Sequence, residues 1–505
     1  MSDEKDTAGD RGPADEEVDG TGEGIVVQAG YRPELRRSLH SFSIFAIAFS
    51  VISITTGIFL NYGFGLTWFG PAAIWTWPVV AVGNMLIALI VAELGTRIPL
   101  AGYAYQWSSR LVNSTYGWFV GFAGLLYMAV GGGAVMLVAA GPLTLSEFGI
   151  NSVTHPHLNL AVSIIFMVVA AVANIISVQF SARVNNIAVF TEILGTVVFS
   201  VLLIVLWGLQ TKHTPYGLSI LTNTTRLSHS PMIYSFAMAG MLGIFTLIGF
   251  ELAADMSEDA VNPRHSVPRG MIYGLAISAV LGFVALVGFT LAIPNLAEVE
   301  KSPLPLLTIA QFWMSPWLVK VFVAFVVFSM FAIAVVGTGA QSRLMFSMAR
   351  DNMLPASKTL RKVDSRTQTP IIAIVVLGVI DIAILVYGYT QPNSFGTLVG
   401  ATATIPYIIY FAIAVAYAVR RNQIESFPGA FSLGRWAKPV IGIVIVWTML
   451  IIGVLTLSSV FNGADQFLAM GAVLAVLWYG TVLFRRLQRG EAGVQPLEEL
   501  NRPQP

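Results

Sequence analysis

Apolar stretches long enough to cross a lipid bilayer recur along almost the whole chain, separated by short polar breaks. A helix needs about 20 mostly apolar residues to cross the hydrocarbon core. The stretches lie at about 41–60, 71–93, 117–141, 159–178, 185–208, 232–251, 268–293, 317–339, 370–389, 396–418, 439–459 and 466–484. The sequence therefore predicts an all-α polytopic membrane protein with twelve transmembrane helices, numbered here spans 1 to 12 in chain order.

The composition excludes a soluble protein and a protein held by a single anchor. Of the 505 residues, 55% are hydrophobic and 11% are charged, whereas soluble domains carry about 25% charged residues. Cysteine is absent, which removes disulfides, thiolate metal sites and cysteine nucleophiles. We expect no cofactor, no metal ion and no nucleic-acid partner. The expected partners are the lipid bilayer, a small-molecule substrate and a coupling proton.

The distribution of basic residues supports the count of twelve. With the N-terminus inside, only Lys212, Arg226, Lys301 and Lys320 face outward, and the other 24 of the 28 Lys and Arg residues face the cytoplasm. Cytoplasmic loops are the ones enriched in Lys and Arg. This pattern predicts a multi-pass protein of the cell membrane with both termini in the cytoplasm.

The two ends of the chain are predicted to be cytoplasmic tails. Residues 1–40 are predicted to form a disordered tail, because residues 1–30 hold nine acidic residues against Lys5 and Arg11. This segment lacks the basic and apolar regions of a signal peptide. Residues 486–505 form the predicted C-terminal tail.

Two spans contain residues that favour a break in the helix. Span 1 holds Ser53, Thr55, Thr56 and Gly57 in an otherwise apolar stretch, and span 6 holds Gly240, Gly243 and Gly249. A break at mid-membrane depth is tolerated only where it lines a cavity inside the protein. The alternative is that these small residues serve close helix packing.

The positions of the two breaks favour a transporter. Spans 1 and 6 are five helices apart, so they cross the membrane in opposite directions. Interrupted helices at matching positions of two inverted halves are typical of secondary transporters. Freed amide groups at a break hold an anionic group such as a carboxylate, and freed carbonyls hold an ammonium or a cation. A zwitterionic amino acid carries both a carboxylate for the amides and an ammonium for the carbonyls.

Four motifs between residues 55 and 355 resemble those of a known superfamily. They are Thr55-Thr56-Gly57-Ile58-Phe59 in span 1; Glu93, Pro99, Gly102, Tyr105 and Trp107 after span 2; Gly249-Phe250-Glu251, Ser257-Glu258-Asp259, Asn262-Pro263-Arg264 and Val267-Pro268-Arg269 after span 6; and Ser342-Arg343, Arg350-Asp351 and Leu354-Pro355 after span 8. Their order and spacing resemble the amino acid-polyamine-organocation (APC) superfamily of permeases.

This resemblance implies the leucine-transporter architecture. Residues 41–418 would form a ten-helix core of two inverted five-helix repeats, and residues 419–485 would form two peripheral transmembrane helices. The resemblance also implies a substrate site, in which Thr56 and Gly57 meet the substrate carboxylate. The remaining implied site residues are Ser53 and Thr55, which line the same break; Phe245, an aromatic lid for which lipid-facing packing is the alternative; and Thr246 and Gly249, which flank the second break.

Two carboxylates within the spans are candidates for proton coupling. Glu192 lies in span 5, where proton-coupled relatives often carry a lysine, and its context resembles the amino acid and choline branch, which includes 4-aminobutyrate permeases. Asp381 lies near the middle of span 9, which the resemblance places at the periphery. Ionisable groups inside a bilayer are costly and are functional candidates. A structural hydrogen-bonding role is the alternative for both.

The sequence as a whole predicts a secondary active transporter rather than an enzyme. The substrate would be an amino acid or related small amine, moved by alternating access and coupled to protons. A polyamine or choline permease and an exchanger of the same fold remain open, and a channel is the alternative from another class. No HExxH, GxSxG or GxxxxGK[ST] motif occurs in the chain, so neither a matching hydrolase nor an ATP-driven pump is indicated.

Overall fold

The computed structural model describes residues 26–494 except 28, 36, 210, 211, 213 and 424–429. Within these residues the regular structure is helical, apart from one isolated bridge between Leu39 and Ala260. The spans have the following bounds: span 1, Ser41–Ile52 and Ile54–Phe69; span 2, Thr76–Arg97; span 3, Ser114–Glu147; span 4, Pro156–Ile176; span 5, Val178–Gly208; span 6, Met232–Ala254; span 7, Pro263–Leu291; span 8, Pro316–Arg350; span 9, Ile371–Thr390; span 10, Phe395–Gln423; span 11, Gly434–Thr456; span 12, Ser459–Gln488.

The helical runs account for all twelve predicted spans. Eleven runs in the described residues are long and apolar enough to cross a membrane, and the first, Ser41–Arg97, has 57 residues. At 1.5 Å per residue, such a run would be about 85 Å long, far beyond the roughly 30 Å hydrocarbon core. It contains spans 1 and 2, which are joined by the 3-10 turn Gly70–Trp75.

The spans differ widely in how much of their apolar stretch is buried. In spans 6 and 10, 78% of the most apolar stretch is buried, whereas the value is 22% in span 12 and 33% in span 11. A helix that is apolar all round and largely exposed in the isolated chain faces lipid. Spans 4, 5 and 9 are similarly exposed, with 28%, 33% and 33% buried, so burial alone does not distinguish spans 11 and 12 from the predicted core.

The described ends of the chain pack against the same end of the bundle, which we call the N/C face. The Tyr31 hydroxyl donates to Asp351 Oδ1 at 2.9 Å, and the Val494 amide donates to Ser114 Oγ at 2.9 Å. Within the segment predicted as a disordered tail, the described side chains of Val26, Leu35 and Leu39 are buried against the bundle. Residues 1–25 and 495–505, the rest of the predicted tails, lie outside the described residues.

Buried ion pairs join three of the sequence motifs at the N/C face. Arg343 contacts Asp259 at 3.1 Å, and Arg350 contacts Glu258 at 2.9 Å. Glu258 also accepts a hydrogen bond from the Ala101 amide at 3.1 Å. Burial raises the pKa of Asp259, and the Arg343 guanidinium opposes that rise by favouring the carboxylate. The residues after spans 2, 6 and 8 therefore form one bonded layer.

Candidate functional site

Span 1 is interrupted at a single residue. Ser53 has φ 30° and ψ 88°, in the left-handed region, between the helices Ser41–Ile52 and Ile54–Phe69. Its amide donates to Phe49 O at 3.0 Å, and its carbonyl accepts from the Gly57 amide at 3.0 Å. The left-handed conformation costs a non-glycine residue about 1–2 kcal/mol. Strain of this kind is typical of functional sites.

Span 6 is interrupted over a longer segment. The helix Met241–Thr246 ends there, and the chain resumes as the 3-10 turn Phe250–Ala254. Gly249 has φ 88°, which glycine adopts without steric cost. The Asn84 side-chain amide donates to Leu247 O at 2.8 Å. A carbonyl freed by the unwinding therefore has a side-chain partner from span 2.

Each break glycine packs against the other interrupted span. A Cβ atom added to Gly57 would overlap the side chain of Thr246 in span 6. A Cβ atom added to Gly249 would overlap the side chain of Val51 in span 1. The two breaks are therefore in direct contact, and both glycines are required for that contact.

A cavity lies beside the two breaks. Seven spans contribute to its wall, namely spans 1, 3, 4, 6, 8, 9 and 10. The residues that line it are Val51, Ile52, Thr56, Gly57, Tyr127, Met128, Gly131, Gly132, Val135, Met167, Phe245, Ile248, Leu252, Ile333, Ala334, Gly337, Thr338, Gln341, Asp381 and Thr402. Such a cavity, mostly apolar with a few polar groups, is typical of a small-molecule site.

Comparison with known families identifies the fold and the class of protein. The model of the amino acid permease family matches residues 39–483. The chain belongs to the amino acid permease family. It superposes on a manganese transporter mutant from Eremococcus coleocola with a TM-score of 0.55 and 13% identity, over 86% of this chain and 91% of that one. This likeness confirms the predicted fold class.

Several curated relatives of the permease are named as permeases or transporters. The Arabidopsis thaliana amino-acid permease BAT1 is 25% identical over 88% of this chain and 88% of that protein. The GABA-specific permease of Saccharomyces cerevisiae is 26% identical over 69% of this chain and 63% of that protein. A putative polyamine transporter of Candida albicans is 22% identical over 88% of this chain and 82% of that protein. These names confirm a membrane transporter rather than an enzyme.

The seven predicted substrate-binding residues fall into two groups in the permease. Thr56, Gly57 and Phe245 line the cavity. The other four, which do not line it, are Ser53 and Thr55, bonded to span 5; Thr246, whose hydroxyl donates to Leu242 O at 2.5 Å; and Gly249, beside Val51. The second group shapes and fixes the breaks, and contact with substrate remains a prediction for all seven.

Glu192 lies at the start of the second half of span 1. Its side chain is buried, and its Oε1 accepts from the Ser53 hydroxyl at 2.9 Å and the Thr55 amide at 3.2 Å. A further bond, 2.9 Å long, joins the hydroxyls of Thr55 and Thr196. A carboxylate is stabilised at a helix N-terminus, where unpaired amides give a partial positive charge. Glu192 therefore caps the helix Ile54–Phe69.

The amide groups predicted to hold a substrate carboxylate already have partners within the chain. The Thr56 amide donates to Ser53 Oγ at 3.4 Å, and the Gly57 amide donates to Ser53 O at 3.0 Å. The Thr55 amide is bonded to Glu192. In this conformation the break in span 1 is thus satisfied by the permease itself, and a substrate carboxylate would have to replace one of these partners.

Asp381 lies on the cavity wall rather than at the periphery expected for span 9. The Gln341 side-chain amide donates to Asp381 Oδ1 at 3.1 Å. Sequence reasoning missed Gln341 because it follows the predicted end of span 8 at residue 339. The helix continues to Arg350 because the polar residues beyond 339, including Ser342, are buried between neighbouring spans.

The contact between Gly57 and Thr246 can be tested by enlarging residue 57. Gly57→Leu should lower uptake roughly tenfold or more with normal membrane insertion, because overpacking costs about 1–3 kcal/mol and would push the two breaks apart. Uptake and insertion are measured on the same membranes. Gly442→Leu, in span 11, is the matched control, since an added Cβ there meets open space. Wild-type uptake by Gly57→Leu would remove the site from span 1.

Proposed function

We propose that the permease is a secondary active transporter that moves an amino acid or a related small amine by alternating access. The observation that carries the proposal is the direct contact of two broken spans beside a cavity. Substrates of inverted-repeat transporters bind at such breaks near the membrane midplane. The distribution of basic residues favours a cytoplasmic N/C face and a location in the cell membrane.

The unwound segments supply the hinges that alternating access requires. Ser53 and Gly249 both adopt left-handed conformations, and a change at either would reorient the half-helix that follows it. The polar groups near the breaks are held by side chains, such as Asn84 and Tyr407, whose hydroxyl donates to Asn84 Oδ1 at 3.0 Å. A hydrogen bond to a side chain can be exchanged for another, whereas the backbone hydrogen bonds of an intact helix at membrane depth cannot.

Two other functions remain candidates. The names of relatives include a GABA-specific permease and a putative polyamine transporter, so a polyamine or choline permease, or an exchanger of such substrates, is the second proposal. A channel would need a continuous pore with selective rings. The contact between Gly57 and Thr246 argues against such a pore beside the two breaks.

The experiment that tests this proposal is uptake into proteoliposomes that contain the purified chain and no ATP. We expect at least one member of a panel of amino acids, 4-aminobutyrate, choline and putrescine to accumulate above its outside concentration when an ion gradient is imposed. A channel would only equilibrate the solute. Equilibration without accumulation for every panel member, under both proton and sodium gradients, would refute secondary active transport.

Phe245 is proposed to cover the bound substrate. Its ring lies on the cavity wall, next to the break in span 6. An aromatic face attracts an ammonium by about 0.5–2 kcal/mol, so Phe245→Ala should raise the half-saturation concentration by about tenfold. Phe190→Ala is the matched control, since that ring is 56% exposed on span 5. Equal half-saturation concentrations in the Phe245 and Phe190 variants would show that the Phe245 ring does not touch substrate.

Glu192 is proposed to carry the coupling proton. As a carboxylate it accepts the Ser53 hydroxyl and the Thr55 amide, and protonation would weaken both bonds because a neutral carboxyl is the poorer acceptor. The Thr55 amide, at the start of Ile54–Phe69, would then become available to another acceptor. Proton binding and substrate binding would thereby favour each other, as coupling requires.

The coupling role is separated from a structural role by removing titration alone. Glu192→Gln keeps the side-chain shape, so we expect it to retain exchange of internal for external substrate and to lose accumulation driven by a pH gradient. Glu298→Gln, on an exposed loop helix, is the matched control. Accumulation by Glu192→Gln under a proton gradient alone would show that another group carries the proton.

A further inference from the structure

Asp381 places a carboxyl group on the cavity wall. It is the single charged residue on the cavity wall within the described part of the chain. The residue is 2% exposed, and its carboxylate has no Lys, Arg or His partner among the described ion pairs. A buried carboxylate is costly unless it is paired and hydrogen-bonded. A cation bound beside Asp381 would offset the cost of its ionised form, which the carboxyl otherwise avoids by staying protonated.

We infer that Asp381 binds the ammonium group of the substrate and so sets the substrate class as primary amines with a short apolar body. This inference rests on the proposed transport function and assigns Asp381 to substrate recognition rather than to coupling. Gln341 positions the carboxylate, since its side-chain amide donates both to Asp381 Oδ1 at 3.1 Å and to Leu125 O at 3.3 Å. A charge-assisted hydrogen bond between ammonium and carboxylate is among the strong ones.

The rest of the cavity suits a chain of methylene groups. Much of its wall is apolar, with Met128, Ile248 and Leu252 among the lining residues. Gly337 adds no side chain, and an added Cβ there would meet open space. An apolar body in these surroundings is removed from water, which is favourable. The cavity thus combines one anionic group with apolar surroundings, as an alkylammonium requires.

The cavity offers a substrate carboxylate much less. No lining residue is a Lys, Arg or His. The amides at the start of Ile54–Phe69 are bonded to Glu192 and to Ser53. A carboxylate must displace one of these partners, whereas an ammonium meets an anionic group held by one side-chain bond from Gln341. Charge therefore selects for the ammonium end, and a carboxylate at the other end is optional.

The test compares ligands that carry an ammonium, a carboxylate or both. The unfolding temperature of the purified full-length chain is measured at pH 7 with increasing n-butylammonium, putrescine, 4-aminobutyrate or butyrate. We expect the three ammonium compounds to raise it and butyrate to leave it unchanged. Asp381→Asn should weaken the apparent affinity for n-butylammonium by about tenfold or more. Asp465→Asn, on peripheral span 12, should bind like the wild type.

Three outcomes would overturn the inference. Stabilisation by butyrate equal to that by n-butylammonium would show that the chain does not prefer an ammonium to a carboxylate. An affinity for n-butylammonium that survives in Asp381→Asn would place the ammonium elsewhere. A response to sodium alone would assign Asp381 to an inorganic cation. If Asp381→Asn does not fold, the comparison of n-butylammonium with butyrate on the wild-type chain still decides whether the ammonium is recognised. Failure of all accumulation in proteoliposomes would instead refute the transport function itself.

Discussion

The architecture depends on one constraint, that every backbone polar group at membrane depth must find a partner inside the protein. Interrupting a span frees such groups, and the structure supplies their partners from side chains. In span 1, Glu192 and Ser53 accept amides at the start of Ile54–Phe69. In span 6, Asn84 donates to the carbonyl of Leu247. The breaks exist only because spans 2 and 5 bring these side chains to them.

The two buried carboxylates have different surroundings. Glu192 takes bonds from both a side chain and the backbone of span 1, so its ionisation is linked to the geometry of the break. Asp381 receives a bond from Gln341 and borders the cavity. A carboxylate tied to the backbone suits a switch, and one that borders the cavity suits recognition. Coupling and selectivity would then be altered by different mutations.

The spans, and the breaks in spans 1 and 6, could be predicted because each depends on the hydropathy and the small residues of one short stretch of sequence. The orientation of each helix about its own axis could not, since a helix that is apolar all round gives no signal for it. The family resemblance placed span 9 at the periphery, yet Asp381 lines the cavity. Gln341 was missed because hydropathy does not extend a span through polar residues that are buried.

The contacts of Gly57 with Thr246 and of Gly249 with Val51 have a consequence for how this sequence can change over generations. A larger residue at position 57 is tolerated only beside a smaller one at position 246. Position 249 is restricted further, because its φ of 88° strains any residue with a side chain whatever stands at position 51. Each pair therefore varies jointly or stays fixed. Because the pairs join the two inverted halves, neither half can diverge independently at these positions.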